Sequence, residues 1–289
     1  DQQALPEAYL EQARHWFDPV AAQLAAHGSG ANGPLLVGIN GAQGSGKTTL
    51  SDYLCQWLVQ ERGLHALSLS IDDVYLTRGE RQQLALDVHP LLLTRGVPGT
   101  HDIRLLLRTF EALGAAGPSP VAVPRFDKAS DDRLPQEQWP RVRPPLDVIL
   151  LEGWCLGVQP QAPEALAVPC NSLEQAEDSD GRWRRHVNEC LAGDYALLHQ
   201  RVDVWLMLRA PSFDEVLRWR SEQEQKLAAA LGAAADSRVM DAPALARFVQ
   251  HYERLTRHCL ARLPPSMDLV WELDRDRTIR SWHGPGVPG

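Results

Sequence analysis

The stretch Leu35-Leu36-Val37-Gly38-Ile39-Asn40-Gly41-Ala42-Gln43-Gly44-Ser45-Gly46-Lys47-Thr48-Thr49-Leu50 decides the fold. A short apolar run from Leu35 to Ile39 enters a glycine-rich turn, and Lys47 to Gln60 continues with Leu50, Leu54, Trp57 and Leu58 at helical spacing. The order is strand, loop, helix. Within it the pattern G-x-x-x-x-G-K-[ST] is filled by Gly41, Gly46, Lys47 and Thr48, with Gly44 as an extra glycine. Glycines let such a loop wrap closely and turn its N–H groups inward, and the positive end of the following helix adds to the attraction for phosphate. Residues 41–49 (Gly41, Ala42, Gln43, Gly44, Ser45, Gly46, Lys47, Thr48, Thr49) are therefore read as the ATP-phosphate site. Lys47 would neutralise the β- and γ-phosphates and the Thr48 hydroxyl would bind Mg²⁺. A chance glycine-rich turn would lack the strand before it and the amphipathic helix after it.

Outward from this loop, strands and helices alternate. Residues 4–27 have helical spacing (Leu5, Tyr9, Trp16, Val20, Leu24) and end at Gly28-Ser29-Gly30. Leu64 to Ile71 reads as a second strand ending at Asp72-Asp73, Asp102 to Leu113 as a helix, and Val121 and Val123 as part of a short strand, giving βαβαβ. Asp147 to Leu151 is a continuous apolar strand of the kind covered on both faces, and belongs at the sheet centre. Leu173 to His199 is broadly helical; Val202 to Leu208 and Asp268 to Leu273 are strands; Ser212 to Leu231, with Ser212 as N-cap, and Ala242 to Arg262 are helices. Residues 115–145 and 153–182 are loop-rich. The expectation is an α/β fold with a mostly parallel sheet and helices on both faces. It is divided as one domain over 1–289: an N-terminal helix in 1–30, a core over 34–275 that includes a lid region at 212–231, and a loose tail at 282–289.

Ligands in such sheets sit at the carboxyl ends of the strands, where residues 41–48, Asp72-Asp73 and Glu152-Gly153 all fall. Glu152 is the expected metal carboxylate beside Thr48. Asp72 is the candidate base, placed to orient an acceptor hydroxyl and take its proton as phosphate transfers. The alternative for the acidic pair is a turn cap.

Composition sets outer limits. A net charge of −8, from 29 basic and 37 acidic residues, argues against a broad nucleic-acid surface and leaves room for a local basic pocket. Five cysteines, far apart and with no C-x-x-C pair, read as reduced and mostly structural. Asp1 to Leu10 lacks the basic start and apolar stretch of a secretory leader, and no apolar run approaches the ~18–20 residues that span a bilayer. The expectation is a cytoplasmic chain with a small-molecule partner. A start at Asp1 rather than Met leaves room for an upstream segment.

Six motifs in order carry a resemblance. They are the loop 41–48; Ser70-Ile71-Asp72-Asp73-Val74-Tyr75-Leu76; Arg95-Gly96-Val97-Pro98-Gly99-Thr100-His101-Asp102; Pro124-Arg125-Phe126-Asp127-Lys128; Leu151-Glu152-Gly153-Trp154-Cys155-Leu156-Gly157; and Trp219-Arg220 with Glu222 to Gln225. Over residues 35–275 the chain resembles P-loop small-molecule kinases of the phosphoribulokinase/uridine kinase class, nearest to the D-glycerate 3-kinase family. The resemblance implies ATP and Mg²⁺ as cofactors, a small hydroxy acid such as D-glycerate as acceptor, and Asp72 rather than Asp73 as base. It implies substrate binding by Asp73, Tyr75, Arg95, His101, Asp102, Arg125 and Lys128, with Arg95 suited to a carboxylate and His101 and Asp102 to hydroxyls. It also implies a catalytic lid arginine, Arg220. For His101-Asp102 the alternative is a helix N-cap. For Arg220 it is a surface pair with Glu224 at helical spacing. Val74 and Val97-Pro98 depart from the usual pattern near the acceptor site. Other acceptors of the class (uridine, pantothenate, ribulose phosphate) stay open, as does a nucleotide-driven switch, although no N-K-x-D guanine signature is present.

Overall fold

The computed structural model describes residues 7–27, 33–117, 119–231 and 240–286. Leu5, the Gly28-Ser29-Gly30 terminator and the last three residues of the expected tail lie outside them. Helix α1 (Glu7–His27) precedes strand β1 (Leu35–Gly41), which feeds the glycine-rich loop and helix α2 (Lys47–Arg62). Strand β2 (Ala66–Ser70) is followed by α3 (Arg78–Asp87) and α4 (Ile103–Gly114); strand β3 (Val148–Gly153) is followed by α5 (Ser172–Glu177), α6 (Arg182–Ala192) and α7 (Asp194–His199). Strand β4 (Val204–Arg209), helices α8 (Phe213–Leu231) and α9 (Ala242–Arg262), and strands β5 (Leu269–Leu273) and β6 (Ile279–His283) complete the chain.

The six strands form one sheet in the order β6-β5-β4-β1-β3-β2, parallel except for the β5–β6 edge. The period-2 alternation of β1 explains the layering. Leu35, Val37 and Ile39 join α1, α2 and α8 in one core, while Leu36 joins Phe110, Leu191, Leu255 and other residues of α4, α6, α7 and α9 in the second. Helices therefore cover both faces. Every residue of β3 is buried, as its unbroken apolar run requires.

Four expectations change. Val121 and Val123 do not extend the sheet: Val121–Ala122 pairs with Arg141–Val142 as a separate two-stranded ladder, too short to carry a periodic signal. The helical stretch 173–199 is three helices, divided where Gly181 adopts a left-handed backbone (φ 74) and again at Gly193. Trp282 and His283 are not tail but the end of the antiparallel edge strand β6. Trp57 is half-buried under Arg62 rather than in the core. All five cysteines are free thiols, Cys155 and Cys259 buried and Cys170 exposed. Among the described residues no helix is long and apolar enough to cross a membrane.

Candidate active site

The sheet register assembles the site. Glu152 of β3 lies opposite Ile39 of β1 on one side and Ser70 of β2 on the other. The glycine loop, Asp72 and Glu152 thus leave the sheet at the same level and the same end. Gly46 holds φ 94 as the helix α2 cap, so the loop closes directly onto the first turn. Thr48 donates its hydroxyl to Glu152 Oε1 at 3.1 Å, and Lys47 Nζ stands 3.8 Å from Oε2. Glu152 Oε2, Ser45 Oγ and Gln43 Oε1 are buried with no hydrogen-bond partner. Buried orphans of this kind are costly unless a ligand completes them.

The turn Ile71–Val74 after β2 is fixed by a reciprocal cap: Ser70 Oγ accepts from Asp72 N, and Asp73 Oδ2 accepts from Ser70 N. Ile71 and Val74 are buried, which turns the two carboxylates outward. Tyr75 Oη donates to Asp72 Oδ1 at 2.8 Å, and Lys128 Nζ to Oδ2 at 2.7 Å. Burial alone would raise the Asp72 carboxyl, but the Lys128 ammonium, with Lys47 and His101 behind it, outweighs burial and holds it near 2. Asp73 goes the other way: burial lifts it despite Arg125, whose Nη1 donates to its Oδ2 at 2.7 Å.

His101 pairs with Tyr75 through an isolated bridge and stacks on its ring at 4.4 Å. Its Nδ1 is hydrogen-bonded to Tyr195 Oη, and its buried Nε2 has no partner. Burial lowers its pKa to about 4, so the ring is neutral near pH 7. Asp102, expected on the acceptor, is the N-cap of α4: its Oδ1 accepts from Leu105 N at 2.8 Å. Arg95 pairs with Asp131. Tyr252 Oη holds the Arg95 carbonyl at 3.0 Å, and Trp154 Nε1 holds that of Gly96 at 2.9 Å.

Arg220 makes the expected helical-spacing pair with Glu224, but the Glu224 carboxylate is buried and the Arg220 guanidinium lies over Phe248 at 5.7 Å, so the pair is not a solvated surface one. A different arginine, Arg277, reaches the glycine loop. It donates from Nε to the Gly44 carbonyl at 2.9 Å and from Nη2 to Glu222 at 2.6 Å, and it lies over Trp219 at 5.2 Å. Sequence reading missed it because the turn Asp274-Arg275-Asp276-Arg277-Thr278 is a polar run with no motif. Beside it a cleft of about 590 Å³ is lined by Trp16, Phe17, Thr49, Leu273, Arg277 and Ile279, among others, and opens onto Ser45 and Gly46.

No protein-family model matches the chain. It is 33% identical over 228 residues to an uncharacterized kinase, mug58, of Schizosaccharomyces pombe, covering 76% of this chain and 78% of that one. It is 31% identical over 227 residues to the chloroplastic D-glycerate 3-kinase of Arabidopsis thaliana, covering 73% of this chain and 47%, about half, of the plant protein. Among solved structures the YGR205w protein superposes with a TM-score of 0.71 at 25% identity, covering 95% of this chain and 97% of that one. With its phosphate loop, strand-end carboxylates and parallel sheet in register, the chain belongs to this family of P-loop kinases and is an ATP-dependent phosphotransferase acting on a hydroxyl group.

Proposed function

We propose that the chain transfers the γ-phosphoryl group of ATP to a hydroxyl of a small hydroxy acid, with D-glycerate as the acceptor. The observation that carries this reading is the placement of Asp72 between the two halves of the site. Its carboxylate feels Lys47 of the glycine loop on one side and is contacted by Tyr75, stacked on His101, on the other. The similarity to the plant D-glycerate 3-kinase supports the choice of acceptor.

The donor half follows from the loop. Backbone N–H groups of residues 41–49 would cradle the phosphates, with Lys47 against the β- and γ-oxygens. The cleft beside Arg277 offers Trp16 and Ile279 to the nucleoside end. The Thr48 hydroxyl and the orphaned Glu152 oxygen are hard oxygen donors in the number that Mg²⁺ takes from protein in such sites, and they would hold it. Bound there, Mg²⁺ would draw charge from the β- and γ-phosphates. Trp219 of α8 lies against the loop, where a Cβ on Gly44 would meet its Cβ at 2.9 Å. This supports α8 as the lid of a single kinase domain, with Arg220 free to act only after leaving Glu224.

In the transfer step the acceptor hydroxyl, oriented by Asp72, attacks the γ-phosphorus in line with the departing ADP. A loose transition state asks little basicity of the base, so the Asp72 carboxylate can orient the hydroxyl and accept its proton as the bond to ADP breaks. Neutral His101 is a hydrogen-bond partner for a second polar group of the acceptor. Release of ADP is to be measured with D-glycerate, L-glycerate, glycerol, uridine, pantothenate and ribulose 5-phosphate. Stimulation by D-glycerate above the others is expected. Stimulation only by a nucleoside or sugar phosphate would replace the acceptor, and stimulation by none would refute the reading.

A further inference from the structure

We infer that Asp131 is an internal stand-in for the acceptor's carboxylate, and that Arg95, backed by Arg81, is the clamp for which the two carboxylates compete. The inference rests on the kinase reading above and names the chemical class of its acceptor. Phe126–Asp127 and Asp132–Arg133 form a hairpin whose turn is stiffened by Asp127, which accepts hydrogen bonds from the N–H groups of Ala129 and Ser130 at 3.0 and 3.1 Å. At the end of that turn Asp131 holds a left-handed backbone, φ 56, uncommon for residues with a Cβ though better tolerated by Asp than by most. Its carboxylate spans the two arginines: one oxygen pairs with Arg95, and the other lies 3.0 Å from Arg81 Nη2.

Arg81 is anchored largely by backbone outside the turn, while the Arg95 guanidinium has the Phe126 ring beneath it and Asp131 as its polar partner. Arg81 is fully buried and donates to the carbonyls of Leu76, Leu93 and Asp131. Arg95 lies over Phe126 at 5.4 Å, with its own carbonyl tied to Tyr252. The carboxylate, by contrast, comes from an exposed turn. The chain therefore displays, with its own side chain, a carboxylate bound between two arginines, on the hairpin that also reaches the candidate base Asp72. The same hairpin lays Lys128 on Asp72 Oδ2. One short segment thus covers the anionic end of the acceptor site through Asp131 and the hydroxyl end through Lys128.

A molecule that takes over both contacts must offer a carboxylate to Arg95 and a hydroxyl to Asp72. A hydroxy acid exchanges charge for charge at the clamp. A polyol or nucleoside would leave Arg95 with Asp131 and gain nothing there.

The test uses Asp131→Gly, which suits the left-handed backbone and removes the carboxylate, together with Asp131→Asn, which removes the charge and keeps the backbone conformation. Binding of D-glycerate, lactate, acetate and glycerol to wild type and both variants is measured by calorimetry, with thermal melts as the folding control. A clamp occupied nine-tenths of the time by its own carboxylate weakens a competitor about tenfold. Each carboxylate should therefore bind at least about tenfold more tightly to both variants, with glycerol unchanged. Equal or weaker carboxylate binding in the variants, including none measurable in any of the three proteins, overturns the inference. Weaker binding of glycerol as well would identify Asp131 as a direct acceptor ligand and also overturn it. Tighter carboxylate binding without phosphorylation of D-glycerate would leave the clamp standing and refute the glycerate reading instead.

Discussion

Gly96→Ala should cripple the acceptor half of the site while sparing the donor half. Gly96 sits at φ 136, and a Cβ there would lie 2.1 Å from Tyr252 Oη and 2.6 Å from two ring carbons. Tyr252 cannot retreat freely. It is buried, packs edge-on against Trp154 at 4.9 Å, and holds the Arg95 carbonyl. Three costs add: about 1–3 kcal/mol for the backbone conformation, about 1–3 kcal/mol for forcing a side chain into a packed core, and about 1 kcal/mol for the lost tyrosine hydrogen bond. The sum, roughly 3–7 kcal/mol, is a large part of the ~5–15 kcal/mol of an ordinary domain. The structure lowers it by shifting the loop that carries Arg95. A displacement near 1 Å at a substrate-positioning residue costs about 10²-fold in rate. Urea melts and steady-state kinetics together check this: a lower midpoint, kcat/KM for the acceptor down by about two orders of magnitude, and KM for ATP within a factor of two or so of wild type. An unchanged acceptor kcat/KM in a folded variant would show that the loop 95–101 does not position the acceptor.

Arg277→Ala removes the donor to the Gly44 carbonyl, the Glu222 pair and the stack on Trp219. A charge-assisted hydrogen bond is worth about 1.5–3 kcal/mol, so KM for ATP should rise about tenfold or more, and Arg277→Lys should recover only part of it because it lacks the planar fork; an unchanged nucleotide affinity would leave Arg277 a surface residue. Acid should destabilise the fold between pH 6.5 and 4. His101 and His199 are both pushed down to about 4 by burial, and His199 Nε2 accepts from Gly157 N, which requires a neutral ring. Below 6.5 the unfolded chain takes up protons that the folded chain refuses, so stability falls as pH drops, by up to about 2 kcal/mol for each ring at pH 5. Urea midpoints at pH 7.5, 6 and 5 read this directly, and a flat profile would contradict the buried neutral state.

Much of the donor half was legible because it rests on local chemistry. A glycine pattern between a strand and a helix, and carboxylates that end apolar strands, state their own context within a few residues, and Thr48 does meet Glu152. Asp102 shows the limit of the same logic. The residue types that open helices are also those that bind hydroxyls, and in the structure one Asp102 oxygen caps α4 while the other faces Arg133. Strand β6 was missed because only Ile279 of its five residues is even half-buried, so it has no alternation to read. Arg277 was lost with it, since the β5–β6 turn is what brings it to the loop.

The acceptor half was recognised as a group of charged motifs and could not be resolved further from sequence, for a physical reason. Arg81, Arg95, Arg125, Lys128 and Arg133 lie among Asp72, Asp73, Glu80, Asp102 and Asp131, so that any cation has several possible partners within reach of the chain. Composition is the same for every pairing. The sheet register and the hairpin at 126–133 choose one of them, placing Lys128 on Asp72, Arg125 on Asp73 and Asp131 on Arg95. On the clamp proposed above, selectivity for the acceptor would follow from that choice and not from the motif. A cation already matched by an internal carboxylate discriminates by exchange, favouring a ligand that returns the same charge in the same geometry and rejecting one that only fills the space.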